Sequence, residues 1–417
     1  MTQSTAQRPS AVNFNPLLPA FRDNPHPYFH ALRQNDPVHW SSVFQVWALT
    51  RYADCVAALQ DKRLSSNARR WIKYDAYYLR GSAGEAPADI FGNWMLQLDP
   101  PDHTRLRSLV NKAFTPRVAE AMRGQIQSLV DELLAPAAQR GAMDVVADLA
   151  YPLPVLVMCD MLGMDRADYP RIKIWSENML PWFGGVMSRE QLRQVNEAVG
   201  EFREYFMAII ARRSPAKNLM TDLIDARDGE NKLSTDELIS TAILLTVAGH
   251  MTTVQLLSNG LLALLRHPDQ LARLRREPGL IVGAVEEMLR YEAPLQMLTR
   301  TATEDFDLFG AKVLKGQMVM ISLTAASRDP ARFPEPDRFD IARPDNRHLA
   351  FGYGAHYCAG APLARLEAQL AIQSMLSRFE SIELGVETIE REPSMLLRGI
   401  KALPLRLRNE RASVGSV

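Results

Sequence analysis

Cysteine is scarce in this chain of 417 residues, which contains only Cys55, Cys159 and Cys358. The three lie far apart, and none belongs to a CxxC pair. A disulfide framework needs several cysteine pairs and a zinc knuckle needs closely spaced cysteines, so three widely separated cysteines indicate neither kind of fold. This cysteine usage fits a reducing compartment, and we predict a cytoplasmic protein.

The chain also lacks an excess of charge and a long apolar run. Lys plus Arg and Asp plus Glu each total 48, so a net charge of zero gives no reason to expect nucleic acid as a partner. The best apolar run, residues 242–248, is far shorter than the ~20 residues of a membrane span. Residues 1–16 are polar and have no apolar segment typical of a signal peptide, so we predict no membrane association.

No internal repeat, low-complexity block or Gly/Ser-rich linker divides the sequence. We therefore predict one large domain over residues 15–417, preceded by a flexible tail over residues 1–14. The hydrophobic content of 47% suffices for a large buried core.

Hydrophobic periodicity predicts a mainly α fold with small β-sheets. Strands are expected at residues 37–40, 46–49, 317–323 and 396–407, a hairpin around Gly310 at residues 306–314, and a long loop at residues 65–94. Apolar residues at three-to-four spacing predict helices over residues 117–134, 191–213, 281–291 and 362–379.

The strongest helix signal begins at Ser234. Ser234 and Glu237 form a capping box, and an apolar helical pattern then runs to about Arg266. Gly249 and the pair Thr252-Thr253 are unfavourable inside a helix. We therefore predict an interruption near the middle of this helix, retained for function.

The segment Phe-Gly-Tyr-Gly-Ala-His-Tyr-Cys-Ala-Gly, residues 351–360, carries the most chemical information. Gly352 and Gly354 permit a tight turn just before Cys358, and Pro362 suits the first turn of a following helix. Free N–H groups and the positive end of the helix dipole favour a thiolate at this position. The pattern predicts a soft metal ligand on a glycine-rich loop.

This segment resembles the heme-binding loop of the cytochrome P450 family. Further matches follow in the right order: the HxxxR motif at residues 103–107, the oxygen-binding helix motif at 248–253, the ExxR motif at 287–290, and the meander at 327–330 and 339–343. The resemblance spans about Asn15 to Leu407. It implies a triangular helical prism with heme between the central long helix and the helix after the cysteine loop.

The resemblance also implies heme b, iron protoporphyrin IX, with Cys358 as the iron ligand. The residues implied to contact this cofactor are His103, Arg107, Arg300, His356, His348, Phe351, Gly352 and Gly360, the histidines and arginines through the propionates. Glu287 and Arg290 would form a buried ion pair that fixes the heme loop. A third arginine normally joins them, and Arg338 and Arg343 both qualify.

On the distal side, the resemblance assigns catalytic positions to Ala248, Gly249 and Thr252, whose hydroxyl would help to relay protons. The family usually has Asp or Glu immediately before this threonine, whereas this chain has Met251. A thioether cannot relay protons, so delivery would run through ordered water, through His250, or through a substrate hydroxyl.

The substrate pocket implied by the resemblance is mostly aromatic or rich in methionine and leucine. Its main members are Trp71, Tyr74, Phe91, Trp94, Trp182, Phe183, Leu245, Leu295, Met297, Met395 and Leu396, and the further candidates are Tyr77, Met179, Leu298 and Leu397. Such an adaptable, apolar cavity suits a lipophilic substrate.

The function expected from the resemblance is a heme-thiolate monooxygenase that hydroxylates or epoxidises a lipophilic small molecule with dioxygen. A polyketide, macrolide or terpenoid of secondary metabolism is the preferred substrate, with fatty-acyl or steroid-like molecules as alternatives. Ferredoxin and an NAD(P)H-dependent ferredoxin reductase would supply electrons to a monomer, since no flavin or iron–sulfur motif is present. A peroxide-driven peroxygenase and a non-catalytic heme or ligand-binding protein are the competing hypotheses.

Overall fold

The computed structural model describes residues 14–74, 90–184, 187–212, 218–228 and 233–409. Its helices are α1 Pro19–Asp23, α2 His26–Asn35, α3 Tyr52–Gln60, α4 Asp102–Ala113, α5 Pro116–Ala121, α6 Arg123–Arg140, α7 Pro152–Leu162, α8 Tyr169–Met179, α9 Pro181–Gly184, α10 Arg189–Arg212, α11 Leu219–Asp228, α12 Thr235–Arg266, α13 Pro268–Arg276, α14 Ile281–Tyr291, α15 Leu323–Ala326 and α16 Ala361–Arg378. Short 3-10 turns and one π-helical turn, Val146–Ala150, connect some of them.

The strands form three small sheets among the described residues. They are β1 Val38–Ser41, β2 Val46–Leu49, β3 Leu64–Ser65, β4 Ala142–Asp144, β5 Met297–Ala302, β6 Phe306–Leu308, β7 Ala311–Val313, β8 Met318–Ser322, β9 Phe379–Leu384 and β10 Pro404–Asn409. The largest sheet has the order β1-β2-β8-β5-β3, in which only β2 and β8 pair in parallel. The mainly α fold with small sheets is confirmed.

The predicted hairpin forms between β6 and β7. Its two turn residues, Phe309 and Gly310, have φ values of 54° and 88°. A two-residue hairpin turn of type I′ has positive φ at both central positions, and glycine adopts that conformation without strain.

The central helix α12 is unbroken, so the predicted interruption is wrong. Its N-terminus has the predicted capping box, with the Glu237 N–H donating to Ser234 Oγ and the Ser234 N–H donating to the Glu237 carboxylate. Thr252 and Thr253 are accommodated within the helix because both hydroxyls donate to carbonyls one turn earlier, at Ala248 and Gly249.

Close packing against neighbouring helices explains the glycine within α12. A Cβ at Gly249 would lie 2.8 Å from Met158 Sδ on α7. α12 runs through the main hydrophobic core, and 78% of its most apolar 18-residue window is buried. Its length and apolarity therefore reflect a core helix and not a membrane span.

Two other predicted elements have different bounds. The helix expected over residues 117–134 is divided into α5 and α6 at Met122, and α6 continues through Pro136 to Arg140. Pro136 and Glu132, whose carbonyl loses its partner, are both exposed, so water can satisfy that carbonyl. The strand expected over residues 396–407 is regular only in β10, because Leu397 and Ile400 make isolated bridges instead.

Two sequence predictions fall partly outside the described residues. Of the predicted tail, residues 1–13 lie outside, and Phe14 is buried against Phe21 and Phe29. Of the predicted long loop, residues 75–89 lie outside, and they include Tyr77.

Candidate functional site

The cysteine loop turns back on itself before α16. Gly352 and Gly354 both have φ values of 72°, a left-handed conformation that disfavours other residues. The Cys358 N–H donates to the Phe351 carbonyl at 2.9 Å and closes the loop. Gly360 is the N-cap residue of α16, and Pro362 stands in the first helical turn as predicted.

The thiol of Cys358 lies among hydrogen-bond donors. The backbone N–H groups of Gly360 and Ala361, together with the guanidinium groups of Arg107 and Arg365, favour the thiolate. Burial outweighs them and raises the pKa of Cys358 above its ordinary value. A bound metal cation would favour the thiolate further, because metal binding displaces the thiol proton.

A buried network around Glu287 anchors the meander that precedes the loop. Arg290 donates to both carboxylate oxygens of Glu287 at 2.7 and 2.8 Å, and neither side chain is exposed. Arg343 Nε approaches the same carboxylate at 3.2 Å, and Asn346 Nδ2 donates to it at 3.0 Å. Arg343 is thus the third arginine.

Arg338, the alternative third arginine, is excluded by its position. Its side chain is 57% exposed and pairs with Glu335 at 3.1 Å. It enters the network only through its backbone carbonyl, which accepts hydrogen bonds from Arg290 and Arg343.

Four predicted propionate ligands come together from three distant segments. His103 and Arg107 lie on α4, Arg300 on β5, and His356 in the cysteine loop. The rings of His103 and His356 have centroids 4.0 Å apart. Burial, followed by the charges of Arg300, His103 and Arg107, lowers the pKa of His356 to about 3. The His356 ring is therefore uncharged at neutral pH, and the positive charge of this cationic group comes from Arg107 and Arg300.

The cationic group has too few anions within the described part of the chain. Burial lowers the pKa of Arg300 to about 10, and Asp99 alone among carboxylates opposes this shift. The Nε2 atom of His103 is buried without a hydrogen-bond partner. Buried cations need anionic partners, so two carboxylates such as heme propionates fit this group of side chains.

We expect the substitution Arg300→Leu to weaken heme retention by about 10- to 100-fold, the range typical of groups that support a metal centre. The reason is that one propionate would lose its most buried cation. Heme transfer to an excess of a second heme acceptor would measure the effect. Arg140→Leu removes an exposed arginine and serves as the control. Equal transfer rates for the two variants would refute the assignment of Arg300.

The prediction for His348 requires correction. His348 Nε2 lies 3.3 Å from the carboxylate of Glu286, and its Nδ1 accepts from the Ala350 N–H. The Nδ1 atom thus has a hydrogen-bond partner, and the Nε2 atom lies close to a carboxylate. Arg365 also donates to Glu286, at 2.7 and 2.8 Å, and stacks on the ring of Phe351. His348 belongs to this second ion-pair cluster and not to the cationic group.

One strip of α12 is not covered by protein. Ala248 is exposed and Gly249 and Thr252 are half-buried, although the residues around them are buried. The Thr252 hydroxyl donates to the Ala248 carbonyl at 3.1 Å, which leaves its lone pairs available to accept a hydrogen bond. The three predicted distal residues therefore share one accessible face.

His250 has a structural environment on the same helix. It is fully buried, and its Nδ1 lies 2.6 Å from the Thr246 carbonyl, so that nitrogen carries the proton. Burial lowers the pKa of His250 to about 4, which keeps the ring neutral at pH 7. A neutral ring whose only N–H is engaged is a poor source of protons. Ordered water and a substrate hydroxyl remain as routes.

The predicted pocket residues fall into two main groups. Phe91, Trp94, Trp182 and Phe183 form an aromatic cluster in which Phe91 and Trp182 stack with centroids 4.3 Å apart. The second group packs beside the largest sheet and comprises Trp71, Tyr74, Met297 and Leu396. Leu245 lies in the main core, Leu295 packs against two clusters, and Met395 is half-buried.

Sequence reasoning missed three polar residues of these networks. Ser66 Oγ lies 3.0 Å from His356 Nε2, Asn346 binds the Glu287 carboxylate, and Glu286 pairs with Arg365. Glu286 could have been noticed because it adjoins the ExxR motif. Ser66 and Asn346 carry no local signal, since their partners are distant in sequence.

Comparisons with known proteins agree with this architecture. The family model named Cytochrome P450 matches residues 86–405. The polyketide biosynthesis cytochrome P450 PksS of Bacillus subtilis is 37% identical over 405 residues, which cover 94% of this chain and 98% of that protein. The crystal structure of CalO2 superposes with a TM-score of 0.90 at 35% identity, covering 95% of this chain and 99% of CalO2.

A further solved structure shows a related protein with a macromolecular partner. P450BioI, in complex with acyl carrier protein ligated to hexadec-9Z-enoic acid, has a TM-score of 0.87 and 36% identity. The alignment covers 93% of this chain and 99% of P450BioI.

Proposed function

Because this chain belongs to the cytochrome P450 family, whose members are monooxygenases that carry heme b, we propose that it inserts one oxygen atom from dioxygen into a lipophilic small molecule. The observation that supports this proposal best is Cys358, which stands at the N-terminus of α16 with N–H donors around its sulfur. When bound, heme b supplies a redox-active iron for oxygen activation, and a thiolate ligand pushes electron density towards that iron.

The side chains of this protein then have separate tasks. Cys358 would hold the iron, and His103, Arg107, Arg300 and His356 would hold the propionates. The Glu287 network would keep the loop in position through the meander. On the distal face, the Thr252 hydroxyl would accept a hydrogen bond and orient a water molecule that delivers protons.

The proposed substrate is a polyketide or macrolide, with a terpenoid as a related alternative. The similarity to PksS, a protein named for polyketide biosynthesis, favours this class. The predicted pocket residues are aromatic, leucine or methionine, and such side chains adapt to a large apolar ligand. Substitution of Trp182 by Ala should alter which macrolactones shift the heme spin state if the pocket is correctly assigned.

A fatty-acyl substrate is the second candidate. The specific observation in its favour is the similarity to P450BioI, which was solved with an acyl carrier protein that holds a hexadecenoic acid. A carrier-bound substrate is also compatible with polyketide chemistry.

Redox partners supply electrons to cytochromes P450 of this type, and we propose a ferredoxin with an NAD(P)H-dependent ferredoxin reductase. We further propose that residues 15–417 form a single domain and that the protein acts as a cytoplasmic monomer without a membrane or nucleic-acid partner.

The decisive experiment compares two oxidant supplies. Holoprotein would first be screened for macrolactones and fatty acids, free and carrier-bound, that change its heme spin state. Each ligand found would then be incubated with ferredoxin, reductase, NADPH and dioxygen, or with hydrogen peroxide alone. We expect oxygenated product from the first mixture. Product from peroxide only would identify a peroxygenase, and no product from any bound ligand would favour a binding protein.

Replacing Met251 by Glu is expected to change the fraction of electrons that appear in product. Met251 precedes Thr252 at the position where the family usually has an acid, and a carboxyl group there would exchange protons with water near Thr252. NADPH consumption, peroxide release and product would be measured together. Met251→Gln is the matched control, because it adds polarity without acidity. Identical coupling in the Glu and Gln variants would show that acidity at this position is irrelevant.

A further inference from the structure

A cavity lies apart from the cysteine loop. It has a volume of about 650 Å³ and lies among α2, the C-terminal turns of α12, the end of α14 and the segment around residues 389–398. None of its lining residues belongs to the predicted cofactor, ion-pair or substrate sites. Its volume is within the range of small-molecule sites in proteins.

The lining of this cavity is rich in arginine. Arg266, Arg328, Arg391 and Arg398 face it, together with three histidines and three carboxylates. Two of the arginines are already neutralised. Arg398 pairs with Glu292 at 3.0 Å, and Arg328 lies 3.8 Å from Glu292 and 3.0 Å from Asp337.

The other two arginines have no carboxylate within ion-pair distance in the described parts of the chain. Arg391 is half-buried, and its Nη1 donates to Asn259 Oδ1 at 3.0 Å. Burial, followed by the charges of Arg398 and Arg266, lowers the pKa of Arg391 to about 10, although Glu292 and Asp23 oppose the shift. Arg266 is exposed at the end of α12.

The polar groups around Arg391 hold its guanidinium in place. Asn259 is buried, and its Nδ2 donates to the Arg398 carbonyl while its Oδ1 accepts from Arg391. The planar guanidinium group binds tetrahedral oxyanions through paired hydrogen bonds, and one that is already fixed loses less entropy on binding. Arg391 therefore has the properties of a preformed anion ligand.

We infer that this cavity binds a small molecule through a phosphate or diphosphate group that contacts Arg391 and Arg266. The lining carries four arginines against three carboxylates, Asp23 included, so it keeps an excess of positive charge that a phosphate would offset. The remaining volume of the cavity leaves room for an organic part of the ligand.

The test is a calorimetric titration of full-length, heme-loaded protein with inorganic pyrophosphate at constant ionic strength. We expect saturable binding, and we expect Arg391→Gln to weaken it at least tenfold. Arg266→Gln should also weaken it, and this exposed position keeps the test valid if Arg391→Gln fails to fold. Arg123→Gln removes an exposed arginine outside the cavity and should leave the affinity unchanged.

Three results would overturn the inference. They are the absence of saturable binding, equal affinities for the Arg391, Arg266 and Arg123 variants, and equally tight binding of citrate. The heme absorption spectrum should stay unchanged throughout the titration, since the cavity shares no residue with the cofactor site. The outcome is independent of whether the protein oxygenates any substrate.

Discussion

Replacing Cys358 by serine is expected to abolish the red-shifted Soret band that a reduced heme-thiolate protein gives with carbon monoxide, together with substrate oxygenation. An alcohol is a harder and far less acidic ligand than a thiol, so it cannot supply the electron density of a thiolate. The surrounding N–H donors would remain, because they come from the backbone of Gly360 and Ala361. The loop itself should therefore keep its shape.

The two other cysteines provide matched controls. Cys55 and Cys159 are fully buried, and burial raises the pKa of Cys55 strongly and that of Cys159 to about 12. Both therefore remain neutral thiols that pack in the core. Cys55→Ser and Cys159→Ser should retain the Soret band and product formation. An unchanged band or unchanged oxygenation in Cys358→Ser would disprove the assignment of the iron ligand.

The second large effect is expected from Glu287→Gln, which should destabilise the fold by about 3–5 kcal/mol. The substitution leaves the buried guanidinium of Arg290 without a charged partner and weakens the contacts of Arg343 and Asn346. This loss is a large part of the ~5–15 kcal/mol that stabilises a typical domain. Urea unfolding of the apoprotein, followed by circular dichroism, would measure it.

Two arginine variants with the same Arg-to-Met substitution test the same network. Arg343→Met removes a side chain that is 8% exposed and contacts Glu287, whereas Arg338→Met removes one that is 57% exposed. For the first we expect a loss of about 1–3 kcal/mol of unfolding free energy, typical of removing a hydrogen bond to a charged group, and for the second a loss within about 0.5 kcal/mol. Equal losses would show that the network has been assigned to the wrong arginine.

Several features of the site followed from short sequence patterns. The capping box of α12, the hairpin around Gly310 and the glycine turn before Cys358 were all predicted, because each depends on residues fewer than ten positions apart. The cationic group was anticipated only through the family resemblance. Nothing in the local sequence of Arg300 distinguishes it from a solvated arginine.

Other predictions failed where a neighbour from a distant segment decides the outcome. α12 stays continuous at Gly249 because Met158 of α7 packs there and the threonine hydroxyls bond within the helix. His348 was expected near the propionates, but Glu286 of α14 lies against its Nε2. The contacts of Met158 and Glu286 join residues from separate helices or loops, and spacing along the chain does not encode them.

The sequence alone determined the class of protein, and it singled out Cys358 as the proposed metal ligand and the glycine turn of the loop that carries it. These properties depend on residue type and short spacing, which are explicit in the chain. Only the tertiary structure placed Arg343 rather than Arg338 against Glu287, set His348 beside Glu286 and buried His250 so that its ring stays neutral. Those outcomes depend on burial and on charges brought together from distant segments, and both quantities exist only once the chain has folded.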